Sequence, residues 1–375
     1  MDTRPGVKCL IGSILRRNQR LLRISLQKSS AQQKNHFLIK TELCIFAVVK
    51  DLTAQIFSIN TTEQFEEVSI RIFRHQVKNC YIYRSFVTNL KLDINNINST
   101  KEIPYLPISF FKSHEVLSVT GHSEIVFSSS GTTGTLQSNH FVTDVSIYEN
   151  SFNTSFRQFY GKIEDTCLLA LLPSYLEREG SSLIYMVDAL IAQSKNTNSG
   201  YYLNDQDQLF KKLQELKATG QKTILIGVTY ALLDFAEQYK INFPELTVIE
   251  TGGMKGRRKE MVRPELHQTL QSGFGVGAIH SEYGMTELLS QAYSYGKGIF
   301  MCPPWMKIQL RDTNDPLSAP RDNKTGGINV IDLANINSCS FIATQDLGRL
   351  YPDGSFEVLG RFDNSDIRGC NLLVS

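Results

Sequence analysis

The chain has no apolar run near the roughly 20 residues a helix needs to cross a bilayer, so a soluble, cytoplasmic protein without a membrane span is expected. It has almost no net charge. Thirty-nine basic and 37 acidic residues leave +2, which does not point to nucleic acid as the partner. Its seven cysteines, at 9, 44, 80, 167, 302, 339 and 370, are odd in number and show no CxxC spacing. No disulfide framework is expected, and each thiol is free to act singly in a reducing compartment. Internal repeats and long low-complexity linkers are missing, as is the G-x-x-x-x-G-K-[ST] phosphate loop of NTPases. The first fifty residues are poor in acid, with ten Lys or Arg against Asp2 and Glu42. They lack the apolar stretch and cleavage site of a signal peptide and are given no function.

What is present is an apolar fraction of 41% over 375 residues, enough for one large core or two to three smaller ones. A helical pattern opens at 61–66 and extends to about 92. Short apolar strands are expected at 124–128, 167–172, 223–227, 246–250 and 274–279, with helices at 144–160, 181–193, 206–218, 230–239 and 257–271. That alternation implies an α/β core with a largely parallel sheet. After Phe300 the texture turns β-rich, with a hairpin around Asp353-Gly354. The expected division is a basic segment 1–50, a helical region 51–120, an α/β core 121–300, a β-rich subdomain 301–361 and a tail 362–375.

Four stretches stand out. Ser129-Ser130-Gly131-Thr132-Thr133-Gly134 follows an expected strand and buries almost nothing, yet its N–H and hydroxyl groups can surround an anion. A plain surface loop has the same composition. Gly252, Gly253 and Met254 follow the strand at 246–250, where bare backbone can receive a flat ring or simply turn. Tyr283-Gly284-Met285-Thr286-Glu287 offers a ring, close backbone approach, a hydroxyl and a carboxylate suited to Mg²⁺ and phosphate. Thr286 can equally cap a helix. Finally, Asp346 can accept two ribose hydroxyls and Arg361 can reach a phosphate, although a solvated ion pair explains both residues too.

In this order and spacing the four stretches resemble the adenylate-forming superfamily of acyl and aryl acid ligases, from about residue 55 onward. The resemblance implies that 129–134 bind the phosphates of ATP, that Thr286 and Glu287 hold phosphate and Mg²⁺, that Gly252 and Tyr283 flank the adenine and that Asp346 holds the ribose. Two departures stand beside it: Gln137 falls near the place of a usual lysine, and the chain stops at Ser375 without the family's lid domain. The short end resembles the acyl-protein synthetases of the bacterial bioluminescence fatty acid reductase system. By that resemblance Cys370, beside Arg368 and Gly369, would take the acyl group as a thioester and pass it to a reductase or carrier protein. His280, Tyr175 and Ser181 are candidates for lining the acyl site. His280 is also explained as a hydrogen-bonded loop histidine, and Ser181 as a helix cap. Cys167, Cys302 and Cys339 sit in apolar runs and are expected to pack. A ligase that transfers to coenzyme A and a nucleotide- or acyl-binding subunit without catalysis remain as alternatives.

Overall fold

Strands rich in apolar residues along their whole length must be covered on both faces, and two of them form the centre of the molecule's parallel sheet. The computed structural model describes residues 47–129, 136–173, 180–252, 258, 261–320 and 325–361. Residues up to Asp51 belong to a separate unit, of which 47–51 are described, as helix. All that follows concerns the unit beginning at Leu52.

β4 (Cys167–Leu171) and β6 (Thr223–Val228) are buried along their whole length. They pair in parallel, and β7 (Thr247–Thr251) and β8 (His280–Tyr283) continue the parallel ladder on one side. The short β5 (Gly200–Tyr201) and the antiparallel β9 (Ala292–Ser294) close the edges of this six-stranded sheet. The helices between its strands are α3 (Val145–Tyr160), α4 (Ser182–Ser194), α5 (Gln206–Thr219), α6 (Thr229–Gln238) and α7 (Arg263–Phe274). A second sheet runs in the order β10 (Ile299–Phe300), β14 (Phe356–Arg361), β13 (Phe341–Leu350), β12 (Thr325–Asp332) and β11 (Met306–Arg311), all antiparallel.

This second sheet is not confined to residues after 300. β1 (Leu106–Pro107) pairs in parallel with β13, and the helices α1 (Thr62–Asn79) and α2 (Tyr81–Asn89) pack beside it. Phe341 is the common contact, with Phe73, Tyr83 and Tyr105 rings at 6.1, 6.2 and 6.4 Å. Buried Gln76 on α1 spends its whole amide here. Its Nε2 donates to the carbonyls of Asn335 and Ile336, and its Oε1 accepts the Ser340 N–H.

Helices occur within a few residues of where the periodicity places them, except that the one expected at 257–271 runs from Arg263 to Phe274, and three further expectations are corrected. The segment at 125–128 is not a strand of the parallel sheet. As β2 (Ile125–Ser128) it forms a separate two-stranded ribbon with β3 (Asn139–Val142), on either side of the Ser/Thr/Gly loop. The strand expected at 274–279 begins only at His280, because α7 runs to Phe274 and is closed by Gly275 in the left-handed conformation (φ 68°). Lastly, Thr286 does not cap a helix. Residues 286–287 form a turn in which Leu288 N–H donates to the carbonyl of Met285 at 3.1 Å.

Candidate active site

Val228, Thr251 and Glu282 lie side by side in register at the carboxyl ends of β6, β7 and β8. Open parallel sheets bind ligands at that edge. Gly252 follows directly, its carbonyl accepting the Thr229 hydroxyl at 2.6 Å. Glu282 was not anticipated from the sequence. Its carboxyl accepts the Thr251 hydroxyl at 2.7 Å. Burial pushes its pKa up to about 7, against the Thr251 hydrogen bond and with a further push from Glu250. A Cβ on Gly284 would stand 2.3 Å from Glu282 Oε1, so a larger residue at 284 would displace the end of this carboxyl.

One strand position further, Tyr283 turns to the second sheet. Its hydroxyl donates to Asp346 Oδ2 at 2.8 Å, and its ring packs edge-on against Phe300 and Phe356. Asp346 on β13 stands in register with Arg361 on β14, and Arg361 Nε lies 3.9 Å from its other oxygen. Burial raises the Asp346 pKa, while Tyr283, Arg361 and Arg311 hold it down. Arg311 is itself buried, donating to the carbonyls of Ile328 and Thr344. Thus Tyr283, Asp346 and Arg361, separated by up to 78 residues in sequence, meet at one point.

Beside them is the turn bearing Thr286 and Glu287, fastened from two directions. From the ribbon, His140 Nδ1–H donates to the carbonyl of Thr286 at 2.9 Å. Burial holds that imidazole's pKa down to about 4, so it is neutral and Nδ1 carries its proton. Burial raises the pKa of the Glu287 carboxyl, and the nearby Ser138 hydroxyl, Arg361 and Lys112 oppose that rise. From the second sheet, Asn335 Nδ2 donates to the carbonyl of Glu287 at 2.8 Å, and Asp332 accepts from Leu289 N–H and the Ser290 hydroxyl at 2.8 and 2.6 Å. At the base of the Ser/Thr/Gly loop, Ser129 and Ser138 close on each other, N–H to carbonyl at 3.0 Å and N–H to hydroxyl at 2.9 Å. The loop's stem therefore stands against Glu287.

The other sequence candidates are dispersed. His280 sits at the opposite end of β8 from Tyr283, three residues or about 10 Å along the strand. Its ring lies against Tyr160 and Tyr295 at 5.8 and 5.4 Å. Ser181 is buried at the start of α4, one residue after Gly180, whose carbonyl accepts Ser128 N–H at 2.7 Å. Met285 is half-buried in the turn. Cys80, Cys167 and Cys339 are buried and Cys302 half-buried. Ser130, Gly131, Thr132, Thr133 and Gly134 of the loop lie outside the described residues, as do Tyr175, Gly253, Met254 and the acceptor candidate Cys370. Among the described residues no three His, Cys, Asp or Glu converge on a metal-sized site. A single buried carboxylate with a neighbouring hydroxyl suits Mg²⁺ all the same, since Mg²⁺ takes few protein ligands and the rest from phosphate and water.

Asp332 and Asn335 left no signal in the sequence as site residues, because their partners come from other elements, and Glu282 left only its place immediately before Tyr-Gly.

The family profile described as "Acyl-protein synthetase, LuxE" matches residues 45–375. Among solved structures, 2-hydroxyisobutyryl-CoA ligase in complex with 2-HIB-AMP and CoA superimposes with a TM-score of 0.60 at 12% identity, over 81% of this chain and 69% of that one. ATP-bound MatB from Rhodopseudomonas palustris gives a TM-score of 0.48 at 18% identity, over 64% of this chain. The chain spans 49% of that protein's length. A comparison with curated proteins gave no match of significance.

Proposed function

Because the chain belongs to the acyl-protein synthetase family, we propose that it activates a carboxylic acid with ATP and transfers the acyl group to a thiol. The observation that carries this reading is the meeting of Tyr283, Asp346 and Arg361 beside a Glu287 turn braced by the stem of the Ser/Thr/Gly loop. In this reading Tyr283 and Gly252 face the adenine, Asp346 accepts the ribose hydroxyls, and 129–134 surround the phosphates, with Gly253 and Met254 continuing the adenine side. A carboxylate oxygen of the acid attacks the α-phosphorus and pyrophosphate leaves, so a carboxylate becomes a mixed anhydride with a good leaving group. Mg²⁺ held at Glu287 and Thr286 would offset phosphate charge. Arg361, largely exposed at the rim, reaches toward the same charge. Next, a thiolate attacks the acyl carbon, its C–S bond forms and AMP departs with the electron pair. Cys370 is the acceptor assigned here, with Arg368 placed to favour its thiolate. Delivery to a partner reductase or carrier completes the cycle.

For the acid, the family reading suggests a fatty chain lying along the β8 face that bears Glu282 and His280. A specific observation favours a second reading of that face. Tyr160 Oη, His280 Nδ1 and Gln291 Oε1 are buried without hydrogen-bond partners near Glu282, which suits an acid carrying polar substituents better than a bare alkyl chain.

Incubation with ATP, Mg²⁺ and matched plain and hydroxylated acids of graded length, followed by intact-protein mass spectrometry, tests both points. A hydroxylamine-labile adduct on Cys370 supports the protein-thioester route and reports the preferred acid. Pyrophosphate release without an adduct places the acceptor on another molecule, such as coenzyme A. Neither product with any acid leaves only a nucleotide- or acyl-binding subunit.

A further inference from the structure

Behind the Glu287 turn lies a cavity of ≈ 10 Å³, between β3, the start of α3, Leu289 and the 3₁₀ segment Leu333–Asn337 with Ser338. Its lining includes Thr143, Asn335, Asn337 and Ser338. Each of these four has a buried oxygen without a hydrogen-bond partner: Thr143 Oγ1, Asn335 Oδ1, Asn337 Oδ1 and Ser338 Oγ. Asn335 and Ser338 are almost wholly inaccessible, at 0% and 2% exposure. A buried polar atom without a partner is disfavoured, so four of them around one small cavity are not accidental packing.

Their chemistry specifies the occupant. The Asn335 amide is oriented by its Nδ2, which donates to the carbonyls of Glu287 and Cys339 at 2.8 and 3.3 Å, and its Oδ1 can therefore only accept. Asn337 Oδ1 is likewise an acceptor, while the hydroxyls of Thr143 and Ser338 can donate. Two acceptors and two donors match the two hydrogens and two lone pairs of one water molecule, and the volume is that of one water. A cation fits worse. All four oxygens are neutral, and the carboxylate in the lining, Asp144, is occupied on the exposed side in capping α3.

We infer that a single water fills this cavity and is a positioning element of the active site. It fixes the amide of Asn335, which in turn holds the carbonyl of Glu287. The link to activity rests on the role proposed for Glu287; occupancy of the cavity does not.

Two measurements separate these parts. A crystal structure of the full chain, at a resolution that shows ordered solvent, is expected to place one peak at about 2.7–3.2 Å from all four oxygens. No peak there overturns the inference. So does a peak at cation distances that gains anomalous signal on soaking with rubidium. Thr143→Val and Ser338→Ala each remove one donor to the water and little else. In acid-dependent ATP–pyrophosphate exchange they are expected to lower kcat roughly five- to tenfold per lost hydrogen bond, to raise the Mg²⁺ requirement, and to leave KM for the acid unchanged. Wild-type exchange in both variants, with the peak gone from their crystals, overturns the positioning role. A peak in a chain that exchanges with no acid would instead retain the water and sink the proposed reaction.

Discussion

Asp346 accepts the Tyr283 hydroxyl with one oxygen and faces Arg361 with the other, so its charge is divided among groups that in the proposed reaction also approach the nucleotide. Asp346→Asn keeps the shape and removes the charge. It is expected to raise KM for ATP roughly tenfold, from the loss of charge-assisted hydrogen bonds, while the melting temperature changes little. Two other buried groups act against each other in pH. The Glu282 pKa is raised to about 7, so its contribution to stability is present in acid and lost as pH rises through 7. The His140 pKa is lowered to about 4, so its contribution is present above 6.5 and lost as pH falls toward 4. Each is worth at most roughly 3 kcal/mol, and between pH 4.5 and 6.5 they nearly cancel. Thermal melts from pH 4.5 to 8 should therefore separate the single variants. Glu282→Gln should become acid-labile, and His140→Asn should gain stability as pH falls toward 5. Parallel curves for both would show that neither group titrates in this range. At this scale much was legible: Tyr283, Asp346 and Arg361 stand out in the sequence because short polar motifs interrupt apolar runs. Glu282 and His140 did not, since what shifts them is burial by residues far away in the chain.

The turn at 286–287 has little regular structure of its own, and it is held in place by what surrounds it. His140 and Ser138 grip it from the ribbon, Asp332 and Asn335 from the second sheet. Asp332 accepts three close hydrogen bonds, from Leu289, Ser290 and Ala334, although burial pushes its pKa up to about 6. Asp332→Leu strands these donors and should cost roughly 2–4 kcal/mol in urea unfolding and abolish pyrophosphate exchange. Retained exchange would mean that the turn holds its geometry unaided. The alternation of strands and helices could be read from periodicity, but the ribbon could not. Ile125–Ser128 is as apolar as a core strand, and only its pairing with Asn139–Val142 removes it from the parallel sheet. The late start of β8 has a similar origin, because Phe274 and Ile279 are buried without being in a strand.

At the scale of the whole molecule, the helical region before residue 120 and the β-rich region after 300 share a core. Phe341 of the β-rich region contacts the rings of Phe73, Tyr83 and Tyr105 from the helical region, and the Gln76 amide ties the two together. Phe341→Ala is expected to cost about 3–5 kcal/mol and to lower a single unfolding transition seen alike by far-UV and near-UV circular dichroism. Two separated transitions would contradict a shared core. Nothing in the sequence announced this union, since β1 is two residues long and its partner lies more than 200 residues away. The register that sets Arg361 against Asp346 has a further consequence for the proposed thiol. Cys370 follows Arg361 by nine residues, so chain length alone keeps it within about 30 Å of Arg361 and of the proposed ribose site. Groups that one chain keeps within such a distance meet at effective concentrations on the order of millimolar. A soluble thiol added to the reaction would thus rival Cys370 for the acyl group only as it approaches that level, and acyl loading would be independent of enzyme concentration.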